Sequence, residues 1–134
     1  MTKTVFVNGT FDILHRGHLD LLEYARSQGD KVVVGIDSDD RVREKKGPTR
    51  PVNTAEDRAH MLQSLKFVDH VLLFDSDEEL ENCIAMTKPD IMVVGSDWEG
   101  KSVIGSMYAA ELHFFPRVEQ YATSKTIQSI IDRG

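Results

Sequence analysis

The chain has little sulfur chemistry and little punctuation: one cysteine, Cys83, and four prolines in 134 residues. A single thiol forms no intrachain disulfide, which excludes a stapled scaffold and makes a reduced, cytoplasmic setting the expectation. No charged leader is followed by a long apolar stretch, and no apolar run reaches the ~20 residues of a membrane-spanning helix. Positive charge is in deficit. Sixteen Lys plus Arg against 22 Asp plus Glu leave a net charge of −6, which argues against broad nonspecific binding to nucleic acid. A local basic cluster still suffices to hold a small anion. No Gly-x-Gly-x-x-Gly follows the first apolar run, so a dinucleotide-dependent dehydrogenase is disfavoured. Repeats, low-complexity tracts and linkers are absent as well. What remains is a chain of 40% hydrophobic residues, enough for one domain over residues 1–134 to bury its own core.

Five apolar segments recur between helix-like stretches: Val5 to Val7, Val32 to Ile36, Val71 to Phe74, Ile91 to Val94 and Leu112 to Phe115. They run apolar without clear alternation, the mark of strands buried on both faces. Leu19, Leu22 and Ala25 form a helical stripe that Gly29 ends. Thr54 with Asp57, and Ser76 with Glu79, resemble capping boxes. Met61, Leu62 and Leu65 give the helix after the first box an apolar face; Leu80, Cys83 and Ile84 do so after the second. Met61, Met86 and Met92 fit core positions. Arg41 to Pro51 reads as a basic loop, Ser102 to Glu111 as a short helix. Thr123 or Ser124 would cap a final helix whose Ile127, Ile130 and Ile131 point one way. Strand and helix alternate throughout, so the expected fold is α/β: a Rossmann-like, doubly wound, mainly parallel five-stranded sheet with helices on both faces.

The chemistry concentrates where the first strand runs into the first helix. Gly9-Thr10-Phe11-Asp12 is followed by His15-Arg16-Gly17-His18. In an open α/β sheet this is where ligands bind, and a helix N-terminus there favours an anion. Helical spacing puts His15 and His18 on one face, with Gly17 leaving the backbone open to close approach. Three uses compete for the pair: satisfied polar groups at a helix start, metal ligands, or phosphate binders. No Cys, His or carboxylate cluster of familiar spacing completes a metal site, so no metal ligand is assigned.

This stretch resembles the signature of the cytidylyltransferase-like branch of the nucleotidyltransferase superfamily, whose hallmark is His-x-Gly-His. Gly95-Ser96-Asp97-Trp98-Glu99-Gly100-Lys101 is similar to the Gly-Asp-Asp-Trp-Glu-Gly-Lys loop of bacterial glycerol-3-phosphate cytidylyltransferases. Arg117 to Ile127 is similar to their third motif, Arg-Thr-Glu-Gly-Ile-Ser-Thr-Thr-Lys-Ile, with Gln120 in place of the glycine and Ala122-Thr123-Ser124 in place of Ser-Thr-Thr. The resemblance implies transfer of CMP from CTP to glycerol 3-phosphate or a similar polyol phosphate, with release of pyrophosphate. Mg²⁺ would accompany the triphosphate, and relatives are commonly homodimers.

Carried onto this sequence, the resemblance gives His15, His18, Lys46 and Arg117 catalytic roles, neutralising charge at the reacting phosphates. Gly9, Thr10, Phe11, Lys45, Thr123 and Ser124 would hold the nucleotide's phosphates, and Asp97 and Trp98 its nucleoside end. Arg58 would reach the acceptor phosphate. A second likeness points elsewhere. Lys46-Gly47-Pro48-Thr49-Arg50-Pro51-Val52-Asn53 resembles the Lys-Gly-x-x-Arg-Pro-Val-Asn loop of heptose-phosphate adenylyltransferases, and Val103-Ile104-Gly105-Ser106 shares that character. The alternatives are therefore an adenylyltransferase acting on a sugar phosphate and, from another class, a nucleotide-binding module without turnover.

Overall fold

The computed structural model describes residues 2–116 and 122–134. Its elements are β1 (Thr4–Gly9), α1 (Arg16–Gln28), β2 (Lys31–Asp37), α2 (Asp39–Lys46), α3 (Ala55–Gln63), β3 (His70–Phe74), α4 (Asp77–Thr87), β4 (Ile91–Gly95), β5 (Glu111–Phe115) and α5 (Thr123–Arg133). Short 3₁₀ turns at Ser96–Trp98 and Ser106–Tyr108 lie between β4 and β5. The five strands form one sheet in the order β3-β2-β1-β4-β5, every pairing parallel. The order reverses between β1 and β4, and a crevice for ligands opens beyond the carboxyl ends of strands at such a switch point.

All five expected strands are present, and the pleat divides their side chains between two cores. Val5, Val7, Val32, Val34, Ile91 and Val93 face Leu22 and Ala25 of α1 and Leu62 of α3. Phe6, Val33, Met92 and Val94 face Leu80 and Ile84 of α4. Burial on both faces explains the continuous apolar runs of β1, β2 and β4; the edge strands β3 and β5 depart from that expectation, Leu73 of β3 being exposed and no residue of β5 fully buried. The helical stripes are narrower than their patterns suggested: Leu19, Met61 and Met86 are exposed, as are Ile130 and Ile131 of α5.

Two stretches fold differently from the sequence reading. The expected loop after β2 begins as a helix, α2. Ser38 caps it by accepting the Arg41 N–H, Asp39 and Asp40 occupy its first turn, and Arg43, Lys45 and Lys46 its last. Capping and dipole complementarity thus stabilise a helix with almost no apolar stripe, the pattern on which the loop reading relied. Gly47 ends it at φ 103°, a backbone state that favours glycine, and donates its N–H to Arg43 O. The expected helix from Ser102 to Glu111 is reduced to the single turn Ser106–Tyr108.

Candidate active site

A cavity of about 390 Å³ lies at the carboxyl ends of β4 and β5, against the start of α1 and within the size range of small-molecule sites. His15 and His18 of the α1 start, Lys46 from the end of α2, Arg50 from the following loop, and Thr123 and Ser124 of α5 line it. Two helix N-termini, those of α1 and α5, therefore open onto one space. Their leading N–H groups lack carbonyl partners within the helix and carry partial positive charge, so the space suits an anion.

The histidines cap α1 reciprocally. His15 Nδ1 accepts the Gly17 N–H at 3.1 Å, and His18 Nδ1 accepts the His15 N–H at 3.3 Å. An Nδ1 that accepts a backbone N–H carries no proton, so a neutral ring in this arrangement holds its proton on Nε2. The rings stack with centroids 3.8 Å apart and planes at 20°. Burial, then the proximity of His15 and then of Lys46, pushes the His18 pKa down from 6.5 to about 4. At neutral pH His18 is thus an uncharged hydrogen-bond donor. Phe11 supports it from below, its ring centroid 5.1 Å from that of His18, with a left-handed backbone at φ 50° that is uncommon outside glycine.

A buried carboxylate fixes the loop that carries Arg50. Asp12 accepts the backbone N–H groups of Val52 at 2.7 Å and Asn53 at 2.8 Å, and the Asn53 side chain returns a bond to Asp12 O at 2.9 Å. Arg50 Nε lies 3.5 Å from the same carboxylate, and the Arg50–Pro51 peptide is cis. Arg50 Nε and Nη2 are buried with no hydrogen-bond partner among the described residues.

The structure separates the expected site residues into those it gathers and those it does not. His15, His18, Lys46, Thr123 and Ser124 share the cavity. Thr123 does not cap α5: the cap position is Ala122, and the Thr123 hydroxyl donates to Ile13 O at 3.1 Å, tying α5 to the loop after β1. Lys45 is exposed, and its charge acts on Asp77, away from the cavity. Gly9, Thr10 and Phe11 do not line it, although the Phe11 ring packs against His18, which does. Asp97 and Trp98 occupy the turn after β4; Gly95 lines the cavity, and a Cβ added there would meet Asp97 Oδ1 at 2.6 Å. Trp98 is half exposed. Arg117 lies outside the described residues.

Arg58 departs from the expectation most clearly. It is fully buried and does not enter the cavity. Its guanidinium donates to Asn53 O at 3.1 Å, Thr10 O at 2.9 Å and Asp39 Oδ1 at 2.8 Å. These bonds join the loop after β1 to the starts of α2 and α3, a bracing role in place of the acceptor contact. Conversely, Arg50 lines the cavity and the buried Asp12 holds its loop, although neither is among the expected site residues. Their signal was present in the quoted motifs, where Asp12 closes the first and Arg50 is the arginine of Lys-Gly-x-x-Arg-Pro-Val-Asn.

The chain is 52% identical over 128 residues to the bifunctional protein HldE of Sulfurimonas denitrificans, and 44% identical over 128 residues to that of Helicobacter pylori. Each match covers 96% of this chain and 27% of the relative, so the chain spans about a quarter of the length of these curated relatives. Among solved structures, the lipopolysaccharide core biosynthesis protein of Thermoplasma volcanium superposes with a TM-score of 0.70 at 25% identity, covering 88% of this chain and 98% of that one. The cytidylyltransferase-like family model matches residues 6–111, from the first strand with its histidine motif to the start of the last strand. By that match, the chain belongs to the cytidylyltransferase-like family.

Proposed function

We propose that this chain is an adenylyltransferase that moves AMP from ATP to a phosphorylated sugar of the heptose-phosphate type, releasing pyrophosphate. The observation that carries the reading is the segment from Lys46 to Asn53. Its sequence is similar to heptose-phosphate adenylyltransferases, and the Asp12 clamp holds it so that Lys46 and Arg50 share a cavity with the histidine pair. The likeness to HldE over nearly the whole chain, and to a protein named for building lipopolysaccharide core, supports a sugar acceptor. The expected transfer from CTP to glycerol 3-phosphate gives way to this reading. Its remaining support is the likeness of the Gly95-to-Lys101 loop, whose Gly95 lines the cavity, and of the segment from Arg117 to Ile127.

In the proposed reaction an oxygen of the acceptor phosphate attacks the α-phosphorus, the bond to the bridging β-oxygen breaks, and pyrophosphate leaves. His15 and His18 donate Nε2–H to phosphate oxygens, and the starts of α1 and α5 add backbone dipoles. Lys46 supplies fixed charge, and Arg117, by family resemblance, a planar fork for phosphate. Preorganised donors of this kind stabilise the crowded charge of the transition state with little rearrangement. Among the described residues, no three His, Cys, Asp or Glu side chains converge to hold a metal, and both histidine Nδ1 atoms already accept backbone N–H groups. Such a site fits a Mg²⁺ ion that enters on the triphosphate, where it would neutralise charge and shape the phosphate chain.

The test is pyrophosphate release with Mg²⁺ and either ATP or CTP, across heptose phosphates, other sugar phosphates and glycerol 3-phosphate. Turnover with ATP and a sugar phosphate is expected. Turnover confined to CTP and glycerol 3-phosphate would restore the cytidylyl reading, and nucleotide binding without turnover on any acceptor would make the chain a binding module.

A further inference from the structure

Joining two phosphorylated molecules requires the cavity to bring anions together, and the charges available for that are few. His18 is neutral in the folded chain. Among the described residues that line the cavity, full positive side-chain charge comes from Lys46 and Arg50. Lys46 stands close enough to His18 to depress its protonation, which places it beside the histidines that receive the triphosphate. Arg50 comes from a separate segment on the far side of the Gly47 bend.

Among the described residues, the buried side-chain atoms without a hydrogen-bond partner belong to Arg50. Its side chain is only 12% exposed, yet Nε and Nη2 have no acceptor among the described residues. Asp12 does not satisfy them. Its oxygens already take two backbone N–H groups, and the 3.5 Å approach to Nε is an ion pair without a hydrogen bond. Buried donors are almost always bonded, and leaving them bare is costly. A guanidinium carries parallel N–H groups matched to phosphate oxygens. Here the loop is held rigidly by Asp12 while the arginine's own donors stay open.

We propose that Arg50 binds the phosphate group of the acceptor, its guanidinium turning from Asp12 into the cavity to take two phosphate oxygens and hold the attacking group against the α-phosphorus. Arg50 then sets acceptor specificity, selecting substrates that bear a phosphate, while His15, His18 and Lys46 serve the nucleotide. The inference rests on the proposed transferase reading, because only that reaction requires a second phosphate.

The experiment compares wild type with Arg50→Met and Arg50→Lys, folded state being checked by circular dichroism. With ATP and a heptose phosphate, R50M should raise the acceptor KM about 10- to 100-fold, the loss expected for a bidentate charged contact. The ATP KM should stay within about twofold, and R50K should fall between because it keeps charge without the fork. A rise in the ATP KM in place of the acceptor KM, or no change in either, overturns the assignment. A second measurement needs no turnover: inorganic phosphate should raise the melting temperature of wild type more than that of R50M or R50K. Equal protection of all three proteins, or none of wild type, overturns the proposal. Absence of turnover on every acceptor, with protection still dependent on Arg50, would reject the transferase reading and retain the phosphate site.

Discussion

His15 has two functions on the two sides of one ring. Nδ1 caps α1 through Gly17, and the ring lines the cavity, where Nε2 is the nitrogen not used by the cap. These functions are separable because asparagine is a good N-cap residue but has no imidazole N–H to place where Nε2 stands. His15→Ala should lose the cap, costing about 0.5–2 kcal/mol, together with roughly 100-fold in kcat, the scale of one lost transition-state donor. His15→Asn should recover the melting temperature and leave kcat low. Recovery of both by asparagine would show that the histidine is needed only for the cap. Arg58 illustrates the reverse case, in which a residue expected to touch substrate spends all three of its donor groups on the protein.

At the scale of elements, the site depends on how α2 hands over to the clamped loop. Lys46 is the last residue of the helix and Gly47 turns the chain with φ 103°. A Cβ at Gly47 would meet nothing within 4 Å, so a substitution there is opposed by backbone conformation alone. Gly47→Ala should therefore destabilise by about 1–2 kcal/mol. If α2 relaxes to relieve the strain, Lys46 moves relative to the histidines and kcat falls with it. Unchanged stability, measured by urea denaturation, would show that the turn adapts without cost. The exposed face of α2 explains why the sequence concealed this helix: it packs mainly through Val42 and Arg41. Arg41 is bound to Asp37 at 2.9 Å and Asp77 at 2.5 Å. Burial disfavours its charge, but these bonds outweigh burial and raise its pKa. A helix held by caps and ion pairs leaves no apolar period to read.

For the molecule as a whole, the buried histidine couples folding to pH. In the unfolded chain His18 returns to its ordinary value of 6.5, against about 4 when folded. Between those values the unfolded state binds a proton that the folded state refuses. Its contribution is therefore fully present above pH 6.5 and lost as pH falls toward 4, by up to about 3 kcal/mol. Denaturation curves of wild type and His18→Asn should differ in pH slope across this window. A constant separation between the two curves would exclude His18 as the source. An anion in the cavity should shrink the effect by raising the folded-state pKa.

The sequence by itself determined the alternation of five strands with helices, because the strands of a parallel sheet covered by helices are apolar runs and helix segments carry a different period. Through its motifs it also pointed to the family, and it singled out His15, His18, Lys46, Thr123 and Ser124, which the fold brings to one cavity. Tertiary structure decided which charges meet. Arg58 is the arginine the sequence pointed toward the acceptor and Arg50 one it left without a role, yet Arg58 is consumed by two carbonyls and a carboxylate while Arg50, which lines the cavity, keeps two buried nitrogens without partners among the described residues. Local spacing cannot distinguish them. The partners of Arg58 come from Thr10, Asp39 and Asn53, and Arg50 is positioned by a clamp on Asp12 some forty residues away in the chain. Burial and hydrogen bonding between distant segments exist only once the sheet has brought those segments together.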